Sequence, residues 1–186
     1  MTMPYLLVVT GRPGSGKTTF SKELSKHLYL PIISRDEIKE GYVRTFQKRH
    51  SELPNDTNKV VSEIFFNTIT RLLSDNVSII AEAAFQHRLW VPQLEVLKNK
   101  SKIFLLICKV EDRIAVNRFI SRGLDNPMRE YFHGDKGVDL ARKGFELLIN
   151  PYDEPCFDVP TFHIDTTSDY NPSIDELQTN ILGVNH

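Results

Sequence analysis

Short apolar runs alternate with longer amphipathic segments along the whole chain of 186 residues. The short runs are apolar at consecutive positions, which is typical of strands that are buried on both faces of a parallel sheet. They predict five strands, at Tyr5–Thr10, Pro31–Ser34, Val77–Ala84, Ile103–Val110 and Thr161–Ile164.

The segments between these runs carry their apolar residues on one face, as amphipathic helices do. Residues 56–75 show this clearly, and Ser173 with Glu176 forms a capping box at the start of the last such segment. The predicted helices are Gly16–Tyr29, Glu37–Lys48, Asp56–Asp75, Leu89–Lys100, Glu111–Ser121, Asp135–Asn150 and Ser173–Leu182.

This alternation predicts an α/β fold of three layers, in which a five-stranded parallel sheet carries helices on both faces. The chain length favours one domain over residues 1–186. In folds of this kind, ligands bind where the strands end at their C-terminal edge.

Residues 11–18 read Gly-Arg-Pro-Gly-Ser-Gly-Lys-Thr and match the P-loop pattern G-x-x-x-x-G-K-[ST]. The pattern lies between a predicted strand and a predicted helix, where main-chain N–H groups and the helix dipole attract phosphate. We expect Lys17 to reach the β- and γ-phosphates of a nucleotide, and the Thr18 hydroxyl to ligate Mg²⁺. The candidate nucleotide-binding residues in this loop are Gly11, Arg12, Pro13, Gly14, Ser15, Gly16, Lys17, Thr18 and Thr19.

Composition narrows the classes of partner. The net charge of −1 supplies no overall basic field, which disfavours nonspecific binding of duplex nucleic acid. No apolar stretch is long enough to span a membrane, and no leader precedes the first strand, so we expect a cytoplasmic protein with no membrane partner. The GTPase motifs D-x-x-G and N-K-x-D are absent, which disfavours that class. The two cysteines have no metal-binding spacing, and Cys108 is expected to be a buried thiol.

Three further short motifs accompany the P-loop. Ser34-Arg35-Asp36-Glu37 ends the second predicted strand, the third strand carries the single carboxylate Glu82, and Arg118-Phe-Ile-Ser-Arg122 follows the fourth strand. With these motifs the chain resembles the P-loop kinases of the nucleoside-monophosphate-kinase fold. Within them it is most similar to the group of polynucleotide kinases, zeta-toxin-like kinases and chloramphenicol-phosphotransferase-like enzymes. The resemblance implies ATP and Mg²⁺ as cofactors and a short lid at about residues 123–135.

The resemblance gives Asp36 a catalytic role. An alcohol that attacks a γ-phosphate must lose a proton, and a carboxylate within hydrogen-bonding reach can accept it. Arg35 would then bind the acceptor or a phosphate. In the alternative interpretation Ser34 caps a helix, and Asp36 and Glu37 merely favour its dipole.

Glu82 is the candidate for the acid that holds the Mg²⁺ shell at the end of a central strand. The family more often has Asp near this point, so a contact between Glu82 and the substrate stays open. The alternative is a buried carboxylate that is paired with Arg88 or another cation.

Arg118 and Arg122 are one helical turn apart and therefore project from the same face. The resemblance implies that Arg118 stacks on adenine and that Arg122 stabilises charge on the phosphates. It also places the Asp165-Thr166 turn beside the adenine. Arg129 follows in a predicted loop. The alternative for Arg118 and Arg122 is a solvated basic helix face.

The residues predicted to bind the acceptor come from several segments of the chain. Arg44 belongs to a segment, residues 41–55, in which basic and aromatic residues alternate and which lies where this fold builds its acceptor pocket; a solvated helix end is the alternative. Arg88 follows the third strand. The candidate substrate-binding residues are Arg35, Arg44, Glu82, Arg88 and Arg129.

These residues predict an ATP-dependent kinase that transfers the γ-phosphate to a hydroxyl of a small-molecule or nucleotide-like acceptor, with Lys17, Asp36 and Arg122 as catalytic residues. A 5′-hydroxyl polynucleotide kinase is one alternative; the near-neutral charge disfavours it, whereas the basic residues within 44–50 favour it. A nucleotide-binding regulatory module without acceptor chemistry is the other.

Overall fold

The computed structural model describes residues 2–126, 128–134, 136–144 and 151–183. Within these ranges one parallel sheet has the strand order β2-β3-β1-β4-β5. The predicted sheet of five parallel strands is therefore confirmed. The strands are β1 (Tyr5–Thr10), β2 (Ile32–Ser34), β3 (Ile79–Glu82), β4 (Lys102–Lys109) and β5 (Thr161–Asp165).

Eight α-helices and one 3₁₀ turn, His50–Glu52, lie in the described part of the chain. The helices are α1 (Lys17–Leu28), α2 (Arg35–Phe46), α3 (Thr57–Ser74), α4 (His87–Leu97), α5 (Asp112–Asp125), α6 (Met128–His133), α7 (Lys136–Arg142) and α8 (Ile174–Leu182).

The central strand β1 sends alternate side chains into two separate cores. Leu6 and Val8 pack with residues of α3 and α4, whereas Leu7 and Val9 pack with residues of α1 and α8. Because successive side chains of a strand point to opposite faces, the two cores lie on the two sides of the sheet. The predicted three layers are confirmed.

Helix α2 begins at Arg35, two residues earlier than predicted. Ser34 ends β2 and is also the N-cap of α2, since its hydroxyl accepts the Glu37 N–H at 3.5 Å. Arg35 and Asp36 therefore lie in the first helical turn, at the C-terminal edge of the sheet.

The segment predicted as a lid is largely helical. Helix α5 continues to Asp125, and α6 occupies part of the expected loop. Helix α6 packs on α2, where the His133 imidazole contacts the Glu40 carboxylate at 2.9 Å and Arg44 lies over the Phe132 ring at 5.0 Å. The short length of α6 explains why a loop was expected there, because six residues carry too little periodicity to identify a helix.

The predicted helix Asp135–Asn150 is represented by α7, which ends at Arg142. Gly144 has a φ of +79°, a left-handed conformation that ends the helical path. Residues 145–150, Asp135 and Pro127 lie outside the described residues.

None of the helices in the described ranges has both the length and the apolar character that a bilayer crossing requires.

Candidate active site

The P-loop joins the end of β1 to the start of α1, as predicted. Helix α1 has no side-chain cap at its N-terminus and no acidic residue in its first turn. The main-chain N–H groups of that turn are therefore not occupied by a capping side chain of the helix, and they share the positive end of the helix dipole. This arrangement fits an anionic phosphate.

Two glycines of the loop hold positions that no other residue fits. Gly14 has a φ of +82°, and a Cβ on it would lie 2.0 Å from the carbonyl oxygen of Ala115. Gly11 has a φ of +143°, and its Cβ would lie 2.6 Å from the carbonyl oxygen of Cys108. The main chain of the loop is thus packed tightly against the ends of β4 and α5, and only glycine fits at these two positions.

Lys17 is buried at the base of the loop, and its Nζ donates a hydrogen bond to the Arg12 carbonyl oxygen at 2.8 Å. Burial lowers the pKa of Lys17, while the nearby charge of Glu82 opposes that shift. The exposed Arg122 adds a positive charge that lowers the pKa of Lys17 further. The structure therefore places Lys17 and Arg122 within electrostatic reach of each other.

Glu82 connects the P-loop to the end of β2. Its two carboxylate oxygens accept hydrogen bonds from Thr18 Oγ1 at 3.3 Å and from Ser34 Oγ at 3.0 Å. Burial raises the pKa of Glu82, and the charge of Lys17 only partly offsets this effect. The alternative partner Arg88 is exposed at the start of α4 and forms no ion pair with Glu82.

Thr18 and Glu82 together offer hard oxygen ligands of the kind that Mg²⁺ prefers. The described residues contain no cluster of three or more His, Cys, Asp or Glu side chains that could hold a metal alone. The Thr18 and Glu82 oxygens would supply part of the coordination of a metal, and bound phosphate and water would supply the rest.

Asp36 projects from the first turn of α2 with 55% of its side chain exposed. Partial burial opposes its ionisation, but the electrostatic influence of His133, Arg35 and Lys17 outweighs this effect and lowers the pKa of Asp36. The carboxylate is therefore ionised at neutral pH. The effect of His133 on the pKa of Asp36 was not predicted, because His133 belongs to a different helix and has no recognisable spacing to Asp36.

Arg118 holds the turn after β5. Its guanidinium donates to the carbonyl oxygens of Thr166 at 3.0 Å and Thr167 at 2.8 Å. The Thr166 hydroxyl in turn donates to the Ser15 carbonyl oxygen of the P-loop at 2.8 Å. The turn that was expected beside the adenine thus links Arg118 to the P-loop.

A family profile described as an AAA domain matches residues 6–146. The chain belongs to this family. The resemblance to the P-loop kinases is confirmed by its relatives. A cytidylate kinase from Sulfurisphaera tokodaii is 30% identical over 161 residues, which cover 78% of this chain and 85% of that protein.

Two further proteins are similar over nearly the whole chain. An L-seryl-tRNA(Sec) kinase from Methanococcus maripaludis is 23% identical over 183 residues, 92% of this chain and 64% of the relative. The chain therefore spans less than two thirds of that relative. A crystal structure from Chloroflexus aurantiacus, described as a candidate kinase, superposes with a TM-score of 0.76 at 23% identity and covers 98% of each chain. It shows the same fold.

The residues that were expected to bind the acceptor do not form one cluster. Arg35 and Arg88 line a groove between α3 and α4. Arg44 instead packs on Phe132 of α6. Arg129 lies in α6, not in a loop as predicted, and its charge contributes to the low pKa of Asp36.

The remaining residues predicted around the nucleotide lie at the rim of the P-loop. Arg12 forms an ion pair with Asp112 at the start of α5. Pro13 and Thr19 are exposed, and Ser15 and Gly16 continue the turn into α1. Cys108, at the end of β4, is the buried free thiol that was expected, and burial raises its pKa to about 12.

A hydrogen-bond network behind the P-loop was missed by sequence reasoning. The Thr10 hydroxyl accepts from Trp90 Nε1 at 3.0 Å and lies 2.6 Å from the Tyr152 hydroxyl. Tyr152 also donates to the Phe85 carbonyl oxygen at 2.7 Å. The network links the end of β1 to the loop after β3. No local pattern signals it, because Thr10 and Tyr152 are 142 positions apart.

Proposed function

We propose that the chain is an ATP-dependent kinase that transfers the γ-phosphate to a hydroxyl group of a small-molecule or nucleotide-like acceptor. The observation that carries this proposal is the ionised carboxylate of Asp36, within electrostatic reach of the P-loop residue Lys17. An alcohol acceptor needs such a base, because its proton must leave as the new phosphoester bond forms.

The transfer forms a bond between the acceptor oxygen and the γ-phosphorus, and breaks the bond from that phosphorus to the β–γ bridging oxygen. The products are the phosphoester and ADP, and Asp36 accepts the hydroxyl proton. Bound Mg²⁺–ATP supplies the phosphoryl group and neutralises part of its charge.

The chain's own residues hold the phosphates and the metal. Lys17, Arg122 and the N-terminus of α1 would bind the phosphate oxygens, where negative charge develops. Thr18 and Glu82 would hold the Mg²⁺ shell, and Arg118 would orient the adenine from the turn after β5.

A phosphate acceptor is the main rival within the kinase class. A phosphate is already ionised at neutral pH, so it needs no base, and an adjacent carboxylate would repel it. Asp36 therefore supports the alcohol over the phosphate. A polynucleotide 5′-hydroxyl remains compatible with Asp36, but the net charge of −1 disfavours it. A regulatory module would not need Asp36 at all.

The proposal is tested by measuring ADP release with candidate acceptors in magnesium buffer. The panel contains aminoglycosides, amphenicols, sugars, nucleosides, 5′-hydroxyl oligonucleotides and nucleoside monophosphates. We expect ADP release to rise with one alcohol class, together with an equal amount of phosphorylated product. Stimulation by the monophosphates alone would contradict the alcohol assignment. If calorimetry detects no ATP binding by the folded protein, the proposal that the chain is a kinase is contradicted.

A further inference from the structure

A groove of about 460 Å³ opens between the N-terminal halves of α3 and α4. Its volume lies within the range of small-molecule sites. The rings of Phe66 and Phe85 contribute to its lining, and Leu89 and Pro92 of α4 add further apolar surface. Most of the accessible surface of the groove is therefore apolar, which suits a hydrophobic ring system.

The rim of this groove is cationic. It carries Arg35, Lys59 and Arg88 against the single acid Glu63. Lys59 is paired with Glu63 at 3.9 Å, and Arg35 with Asp36 at 3.5 Å. Arg88 forms no ion pair with any residue in the described ranges. It is the rim cation whose charge no neighbouring acid neutralises.

Arg35 connects the groove to the base of the proposed reaction. Its Nη1 lies near Asp36, while its Nη2 donates to Asn58 Oδ1 at 2.9 Å on the α3 wall. Its guanidinium lies 6.0 Å from the centre of the Phe85 ring. The Arg35 Nε is buried without a hydrogen-bond partner in the described part of the chain. Arg35 therefore contacts both the wall of the groove and Asp36.

We propose that this groove binds the non-reacting part of the acceptor, and that this part is an aromatic body bearing an anionic group. The ring system packs on Phe66 and Phe85, the anion pairs with Arg88, and the hydroxyl is presented to Asp36. This inference rests on the proposed function and narrows its substrate class to hydroxylated aromatic anions.

The chemistry of the groove disfavours the other acceptor classes. A sugar or polyol would place hydroxyl groups against the two phenylalanine rings and lose their hydrogen bonds to water. A cationic aminoglycoside would meet three positive side chains at the rim. A neutral aromatic alcohol would fill the groove but would give Arg88 no anionic partner.

The test compares four primary alcohols: a hydroxymethyl naphthoate, its carboxamide, hydroxyoctanoate and its amide. They vary the ring and the charge independently. ADP release and the mass of the phosphorylated product give kcat/KM for each. We expect the naphthoate to be the best acceptor by about tenfold or more over each of the others, because it alone has both features.

The variant Arg88→Gln identifies the residue that recognises the anion. It should lower kcat/KM for the naphthoate by about 10- to 100-fold and leave the carboxamide nearly unchanged. The matched control is Arg71→Gln, which removes an exposed arginine at the far end of α3, where Arg71 pairs with Asp75. It should change neither value.

Three results would overturn the inference: a carboxamide as good as the carboxylate, an equal effect of Arg88→Gln on both, or no phosphorylation of any of the four alcohols. Calorimetry with ATP accompanies every measurement. Intact ATP binding with inactive naphthoate refutes only the acceptor class. Lost ATP binding in folded protein refutes the proposed function as well.

Discussion

The hydroxyl of Thr18 lies 3.3 Å from the carboxylate of Glu82, although 64 positions separate these residues in the sequence. Strand pairing brings them together, since Glu82 is in register with Val9 of β1 and with Ser34 of β2. The two expected metal ligands are thus brought together by the pairing of β1, β2 and β3.

Glu82→Gln is expected to lower activity and raise stability together. Turnover should fall by about 10- to 100-fold, as it does when an outer ligand of a metal is lost. Burial raises the pKa of Glu82 in the folded state, so its ionised form opposes folding. This penalty is absent below the pKa of the unfolded state and develops as the pH rises toward the folded pKa.

Thermal unfolding at neutral and at acidic pH checks this prediction. The variant should unfold at a higher temperature than the original protein at neutral pH, and the difference should shrink as the pH falls. The control Glu95→Gln alters an exposed residue of α4. A Glu82→Gln variant that is less stable at neutral pH would contradict the assigned cause.

Asp36→Asn is expected to lower kcat by about 10²- to 10⁴-fold, because it removes the proposed general base. ATP affinity should change little. Glu37→Gln is the matched control, since it removes a carboxylate from the same first turn of α2. Both variants lose a favourable interaction with the helix dipole, worth about 0.3–1 kcal/mol. Equal activities of the two variants would show that Asp36 only stabilises helix α2.

Gly14→Ala is expected to abolish ATP binding. The added Cβ would lie 2.0 Å from the Ala115 carbonyl oxygen, so the loop or α5 must move. Gly41→Ala is the control, because a Cβ there meets no atom within 4 Å and Gly41 lies inside α2. It should stabilise the protein by about 0.4–1 kcal/mol. Calorimetry with ATP and urea unfolding measure the two effects.

Lys17→Met should remove phosphoryl transfer and leave the fold intact. The ammonium is buried at a cost in desolvation, which lowers its pKa, and Glu82 keeps its hydrogen bonds from Thr18 and Ser34 when the ammonium is removed. Lys22→Met, on the exposed face of α1, is the control. Circular dichroism reports the fold, and ADP release reports transfer. Unchanged turnover in the Lys17 variant would remove its assigned role.

Tyr152→Phe is expected to destabilise the protein by about 1–2 kcal/mol, because it removes the hydrogen bond to the Phe85 carbonyl oxygen and the contact with Thr10. Tyr29→Phe alters a tyrosine that is 92% exposed and should have almost no effect. Urea unfolding compares them. Similar stability in both variants would mean that the network behind the P-loop contributes little.

The sequence predicted those features that depend on local patterns. The P-loop, the five strands and the positions of Asp36 and Glu82 at strand ends follow from short motifs and apolar runs. The charge environment of Asp36 did not follow, since His133 reaches it from α6, a helix too short to be identified. The groove also could not be predicted from the sequence, because Arg35, Asn58 and Arg88 come from three different helices.

Trp90 is the one tryptophan of the chain, and its indole donates a hydrogen bond to Thr10, the residue that precedes the P-loop. Its fluorescence therefore originates beside the residue that precedes the P-loop. We expect this emission to change when a nucleotide occupies the proposed site, so that binding can be followed without a label.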